Sequence, residues 1–185
     1  WNQSLYQLLG GAVRKEIPFT DYFGFRESSD GIGGESTPEA VLDYCLKLEA
    51  DHGTTYFEGK FSTADPKPSL RMMELLRDKL GPAALLRIDS NMAYSLTTAR
   101  GIARALEDLD IRNWEDPVAT PEELAQLRKH TSIPFSHHNI DLKRAAHLGV
   151  PDAICTDTCV HGGIGRTQRF IGACEQMGID FWCYS

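Results

Sequence analysis

Short apolar runs alternate with longer amphipathic segments along the whole chain, and this alternation constrains the fold most. The runs fall at 17–25, 54–61, 84–88, 111–114, 132–136, 153–156 and 179–184, at intervals of roughly 20–30 residues after a longer first one. Between them lie segments with apolar residues at helical spacing, such as Leu70, Met73, Leu76 and Leu80. Thr37-Pro38-Glu39 and Thr120-Pro121-Glu122 are helix starts, with Thr at the N-cap and Pro in the first turn. Gly53, Gly81-Pro82 and Gly178 are stops. Strict strand–helix alternation with short connections predicts a parallel sheet covered by helices. Seven such units predict an α/β fold of the (β/α)8, or TIM, barrel type lacking its last βα unit. A doubly wound open sheet is the alternative. No GxGxxG or Walker A run follows the first strand, which disfavours the nucleotide-binding version of that alternative.

Residues 1–14 read as the tail of a helix leading into the barrel, and 15–185 as the partial barrel itself. Arg26 to Thr37 is a long loop carrying Gly31, Gly33 and Gly34, of a length often tied to function. The 185 residues suffice for one domain with a sizeable core. A net charge of −7 with scattered basic residues argues against a nucleic-acid partner. No apolar run is long enough for a bilayer, so no membrane partner is expected. Five cysteines without a CxxC indicate neither a disulfide framework nor a thiolate zinc site, and a reducing cytoplasm is the expected compartment.

The predicted strand ends collect the chemistry. In a barrel, catalytic residues come from the C-terminal ends of several strands. Here those ends read Glu58-Gly59-Lys60, Asp89-Ser90-Asn91, Glu115-Asp116, Ser136-His137-His138-Asn139, Asp157 and Tyr184. Acids placed just past a strand are expected to have left the core and to stay ionised at little desolvation cost. Two anions held close need a proton or a cation between them, and oxygen ligands favour a hard divalent ion. Taken singly, Asp89 and Asp116 also read as turn or N-cap residues. Lys60 also reads as a solvated edge lysine, His137 and His138 as loop or cap residues, and Asp157 as a helix cap. Trp114 and Tyr184 read equally as packing, and Cys155 and Cys159 as buried thiols.

This set resembles the enolase superfamily, in its mandelate racemase/muconate lactonizing branch and closest to glucarate dehydratase-like members. Lys60 matches the second lysine of that family's Lys-x-Lys. Asp89 and Asn91 match its Asp-x-Asn, and Glu115 within Glu115-Asp116-Pro117 matches its fourth-strand Glu. Asp157 with Gly162-Gly163 matches the sixth-strand Asp and Gly-Gly. Leu5-Tyr6-Gln7-Leu8-Leu9-Gly10-Gly11 matches the segment entering from the N-terminal lid domain. The resemblance implies Lys60 and Asp157 as catalytic residues. It implies Asp89, Glu115 and His138 (or Asn139) as metal ligands, and Asn91, Glu58 and Tyr184 as substrate contacts. It further implies Mg²⁺, or Mn²⁺ in its place, and a small-molecule acid sugar as substrate. The expected reaction is a dehydration: a proton is removed next to a carboxylate and a β-hydroxyl leaves. A catalytically silent barrel that binds a metal or an acidic ligand is the alternative, and a racemase or epimerase ranks third. The intact protein is expected to be a homo-oligomer. The 185 residues, without a lid domain or eighth unit, are expected to be a fragment, or one piece of a larger assembly, and inactive alone.

Three positions depart from the family pattern. Glu58 stands where the first lysine is expected, and a Glu there is expected to raise the pKa of Lys60. His138 stands where an oxygen ligand is usual, which favours a softer ion. Tyr184 stands where the histidine partner of Asp157 is expected, so Asp157 is expected to lack its partner.

Overall fold

In the computed structural model, which describes residues 2–12, 14–138 and 140–184, the strands alternate apolar and polar residues with period two. Phe57, Leu86, Ile88, Trp114, Phe135 and Ile154 are fully buried. Between them in sequence stand Glu58, Arg87, Asn113, Glu115, Ser136 and Cys155. In a strand, successive side chains point to opposite faces. One face of the sheet is therefore a continuous apolar surface and the other a polar one. The runs that read as apolar in sequence are apolar on one face only, and the face turned inward carries charge.

The elements follow the predicted alternation. A short helix α1 (Leu5–Leu8) precedes β1 (Asp21–Phe23). Then come α2 (Pro38–His52), β2 (Tyr56–Lys60), α3 (Lys67–Leu80), β3 (Leu85–Asp89), α4 (Leu96–Leu106) and β4 (Ile111–Glu115). They continue as α5 (Pro121–Leu127), β5 (Phe135–His138), α6 (Leu142–Leu148), β6 (Ala153–Thr156), α7 (Ile164–Gln176) and β7 (Asp180–Cys183). All six pairings are parallel, and the strand order is sequential from β1 to β7. A doubly wound sheet reverses its order at a switch point. This one does not, and it is the sheet of a (β/α)8-type barrel with seven strands described.

The helices close the apolar face. Val41, Leu42, Cys45 and Leu48 of α2, Met72, Met73 and Leu76 of α3, and Ile102 and Leu106 of α4 pack on the strands in one core. Thr37 and Thr120 cap α2 and α5 by accepting from the backbone N–H three residues on, as the sequence predicts. Gly59 sits against the fully buried ring of Phe23, which β1 places directly opposite it. A Cβ at residue 59 would stand 2.1–2.4 Å from three carbons of that ring.

Two segments differ from expectation. The predicted first strand, 17–25, pairs only over Asp21–Phe23, and Ile17 and Phe19 are exposed. Pro18 cannot donate to a ladder, and β-branched and aromatic composition alone does not supply a partner. The helical tail predicted over 1–14 is one turn, Leu5–Leu8, with no buried residue. Gly10 and Gly11, both at positive φ, stop it. The long loop after β1 doubles back on itself, with Arg26 bonded to Glu35 at 2.8 Å and a small bridge between Ser29 and Ile32. No helix among the described residues is long and apolar enough to cross a membrane.

Candidate active site

Strand pairing sets three site residues side by side. Lys60 is directly opposite Asp89, and Asp89 directly opposite Glu115, at the C-terminal ends of β2, β3 and β4. Because strand residues two apart share a face, Glu58 and Arg87 form the next row down on the same inner surface. One strand further, His138 ends β5 opposite Cys155 of β6. These side chains line a cavity of about 750 Å³ together with Asn91 and Tyr184. That volume suits a small polar substrate.

The acids have not left the core. Asp89 is 3% exposed and Glu115 4%. Burial, with Asp89 close by, pushes the Glu115 carboxyl up to about 7. The expectation of cheaply ionised acids just past the strands is corrected: both are the last residues of their strands and face the interior. Asp89 is held in place by its partners. Lys60 Nζ donates to Oδ2, and Asn91 donates from its backbone N–H at 2.8 Å and its amide at 2.9 Å and 3.1 Å. Asn91 reaches back this way because its backbone is left-handed, φ 46°, a conformation Asn tolerates.

Lys60 lies above its ordinary pKa. Burial pulls it down, but the hydrogen bond and charge of Asp89, joined by Tyr22, outweigh burial. The expected rise caused by Glu58 has a different source here. Glu58 is turned to Arg87 at 3.2 Å, and the guanidinium of Arg87 stacks on Trp182, 3.8 Å from the ring centroid. Arg87 and Trp182 also line a second cavity of about 490 Å³ toward the N-terminal ends of the strands. Their stack is the floor that separates the two.

His138 is fixed by Asp116. Its Nδ1 lies 2.6 Å from Asp116 Oδ2, which leaves Nε2 toward Glu115 Oε1 at 3.4 Å. The Asp116 bond, aided by the charge of Glu115 and opposed by burial, raises the His138 pKa. Asp116 is 2% exposed at φ 43° and caps no helix. Its other oxygen lies 3.1 Å from His137 Nδ1. Both histidines belong to strand β5, not to a loop or a cap.

The remaining predicted residues fall as follows. Asn139 lies outside the described residues. Tyr184 sets its ring edge-on to His138, centroids 5.1 Å apart. Asp157 is not part of the cavity wall. Its Oδ1 accepts from the backbone N–H groups of Cys159 at 2.5 Å and Val160 at 2.9 Å. The Val160 bond leads in holding its carboxyl below the usual range, with help from Cys159 and Tyr184. Tyr184 thus stands as a partner to Asp157 where none was expected.

Three residues escaped the sequence reading. Asp116 was visible as half of Glu115-Asp116, and its role needed the register of β4 against β5. Tyr22 reaches Lys60 from β1, and no local motif marks it. Cys155 is buried, as expected, but its sulfur lies within 4.8 Å of ligand atoms of both Glu115 and His138. Cys159, expected to be buried, is exposed.

The donor set bears on what ion could be held. Glu58, Asp89 and Glu115 put three carboxylates on the wall against the two cations Lys60 and Arg87. An anionic substrate would enter against that balance unless a cation were added. Asp89 and Glu115 offer the oxygen donors a hard divalent ion takes, and His138 adds an imidazole. The residues fit a divalent cation.

Comparison with known proteins agrees with this architecture. A family model described as enolase C-terminal domain-like matches residues 41–185. D-galactarolactone cycloisomerase of Agrobacterium fabrum is 30% identical over 97% of this chain and 47% of its own length. An isomerase structure from Streptomyces coelicolor A3(2) superposes with a TM-score of 0.87 at 29% identity, covering 99% of this chain and 50% of that one. An enolase structure from Pseudomonas fluorescens with bound magnesium, potassium and tartrate gives 0.87 at 26%, covering 98% and 45%. Other curated relatives include dehydratases, cycloisomerases and a racemase. The chain spans between a third and a half of the length of the curated relatives named here and of the others first matched. With its matched span and its strand-end residues, the chain belongs to the enolase C-terminal domain-like family.

Proposed function

We propose that this pocket is the centre of a hydro-lyase for an acid sugar, an aldonate or aldarate, with Mg²⁺ as cofactor or Mn²⁺ in its place. The observation that carries the reading is the row Lys60–Asp89–Glu115, three adjacent strand ends in register with a base candidate beside two carboxylates. Asp89, Glu115 and His138 are the residues that would hold the ion. When bound, it supplies positive charge against the negative charge that develops on the substrate carboxylate as the neighbouring proton leaves.

The chain's own residues supply the rest. Lys60 Nζ takes the proton next to the carboxylate, and it does so as the free amine. Its bond to Asp89 holds it protonated, so loss of that bond prepares it for the task. The ammonium then formed donates to the β-hydroxyl leaving from the same face, and water departs. Asn91 and Tyr184 contact the substrate from the rim, and Glu58 from the floor. Asp157 is retained as a second acid/base candidate. Its place outside the cavity wall favours elimination over racemisation, which needs a group on the opposite face.

A second reading is a catalytically silent barrel that binds a metal or an acidic ligand, and one observation favours it. Glu58, standing where a lysine is expected, is neutralised by Arg87 and offers no cation to substrate. Incubation of the intact protein with a panel of aldonates and aldarates plus Mg²⁺ or Mn²⁺ separates the two. The dehydratase reading expects a 2-keto-3-deoxy product from at least one sugar and none with Lys60→Ala. Metal binding without product from any sugar supports the silent barrel.

A further inference from the structure

We propose that this site selects a borderline transition-metal ion over Mg²⁺, with the Cys155 thiolate as a ligand beside Glu115 and His138. The inference rests on the proposed reading of this pocket as a metal site and departs from that reading in the ion, Co²⁺ or Zn²⁺ in place of Mg²⁺, and in adding Cys155 to the ligands.

Three observations carry it. A carboxylate oxygen of Glu115, a ring nitrogen of His138 and the sulfur of Cys155 all lie within 4.8 Å of one another. Ligands around one ion, each at the roughly 2.0–2.3 Å typical of nitrogen, oxygen and sulfur donors to zinc, stand closer together than that upper bound, so small side-chain rotations that draw the three atoms inward bring them to one ion. Second, His138 is already oriented as a ligand. Asp116 holds Nδ1, so Nε2 is the nitrogen presented to Glu115, and a carboxylate behind the imidazole is the usual support of a metal-bound histidine. Third, Asp89 is the most occupied acid of the pocket, bonded by Lys60 and three times by Asn91. Glu115, His138 and Cys155 can therefore gather an ion without first breaking those bonds.

Donor chemistry then decides which ion. Mg²⁺ takes oxygen donors in near-ideal octahedral geometry and gains little from imidazole or thiolate. Co²⁺ and Zn²⁺ gain from both. The Cys155 thiol, 2% exposed, is kept protonated by burial. Its proton passes to solvent as the sulfur binds the ion, and Co²⁺ and Zn²⁺ need no change of oxidation state to bind.

Titration calorimetry of the protein with Mg²⁺, Co²⁺ and Zn²⁺, with absorption spectra of the Co²⁺ form, tests this. Co²⁺ and Zn²⁺ are expected to bind at least about 100-fold tighter than Mg²⁺. The Co²⁺ form is expected to show a thiolate-to-cobalt charge-transfer band in the near ultraviolet. Cys155→Ser should abolish the band and weaken Co²⁺ by about tenfold or more, while Asp89→Asn keeps the band. If Cys155→Ser proves unfolded by circular dichroism, His138→Gln takes its place: it should weaken Co²⁺ more than Mg²⁺. Co²⁺ binding without a band, a band that survives Cys155→Ser, or equal affinities for Mg²⁺ and Co²⁺ overturns the inference. In each of those cases Mg²⁺-dependent turnover of an acid sugar would leave the dehydratase reading standing. Failure of every ion to bind overturns both.

Discussion

Lys60 on β2 donates a hydrogen bond from Nζ to Oδ2 of Asp89, its direct neighbour on β3 and 29 residues away in sequence. The pair joins the general-base candidate to a metal-ligand candidate. A cation approaching Asp89 meets the ammonium of Lys60, so the two compete for one carboxylate. Lys60→Met removes the competitor and leaves a side chain of similar length. Mn²⁺ affinity, read by calorimetry, is expected to rise several-fold. Sugar-acid turnover is expected to fall by about 10²–10⁴, the usual contribution of a positioned base. A variant with unchanged metal affinity would show that the pair does not oppose the ion.

Asp116 acts through His138. With a carboxylate at 2.6 Å from Nδ1, the imidazole is held in one orientation. Asp116→Asn keeps the size and tolerates the positive φ of 43°, but removes the charge. Loss of such a supporting group typically costs 10- to 100-fold in metal affinity, and calorimetry with Mn²⁺ or Co²⁺ should read a drop of about that size. A circular dichroism spectrum matching wild type would separate this from unfolding. An affinity unchanged in the variant would leave His138 without a role for its Asp116 bond.

The alternation of elements was legible because it rests on local signals: helix starts such as Thr120-Pro121, glycine stops, and apolar spacing. The row of Lys60, Asp89 and Glu115 was legible because each ends a strand, and sequential parallel strands bring their ends to one rim. What could not be read was anything set by a partner across the sheet. Glu58 beside Lys60 looked like a charge acting on the lysine, and only the register of β2 with β3 shows Arg87 taking it. Cys155 looked like a core thiol because burial does not reveal which face of a strand a residue occupies. Ile17 and Phe19 had strand composition without a strand to pair with.

The Arg87–Glu58 pair lies largely inside the barrel, with side chains 15% and 20% exposed. Removing one member leaves the other charge without its partner. Arg87→Met is expected to destabilise by about 2–4 kcal/mol, somewhat below the cost of breaking a fully buried pair. It also removes the stack on Trp182. The double variant Arg87→Met/Glu58→Gln should recover part of that loss. Denaturant melts of four proteins, the wild type, Arg87→Met, Glu58→Gln and the double variant, give the coupling directly. Additive losses would mean the pair is not coupled.

The five thiols of this chain divide by environment. Cys159 and Cys183 are exposed, whereas Cys45, Cys155 and Cys174 are buried. Burial pushes Cys45 up to about 12 and raises Cys155 and Cys174. A thiol at that value is thiolate to roughly one part in 10,000 at pH 8, and the thiolate is the reactive form. Iodoacetamide at pH 8, followed by peptide mass spectrometry, is expected to label Cys159 and Cys183 in the folded protein. All five should react after denaturation, when the raised values return to ordinary ones. Cys183 is also raised by burial, but it is exposed where Cys45 is buried, and it should react ahead of it. Rapid labelling of Cys45 in the folded state would contradict the packing of α2 on the sheet.

Gly59 has no room for a side chain. It lies between Glu58 and Lys60, so any shift there moves both. Its partner across the ladder is Phe23, whose ring covers the glycine and is fully buried. In Gly59→Ala the new methyl competes with that ring for one volume. Because the Phe23 ring is enclosed, it cannot swing away freely. Overpacking of this kind costs about 1–3 kcal/mol. β1 is only three residues long and pairs with β2 alone among the described strands. The strain should therefore be released by displacement of β1, which carries Tyr22 away from Lys60. Two consequences follow together: a lower denaturation midpoint and weaker binding at the cavity. Phe23→Leu in the same chain makes room for the methyl and should restore part of both. A double variant no more stable than Gly59→Ala would place the cost in the backbone of β2 instead of in the ring.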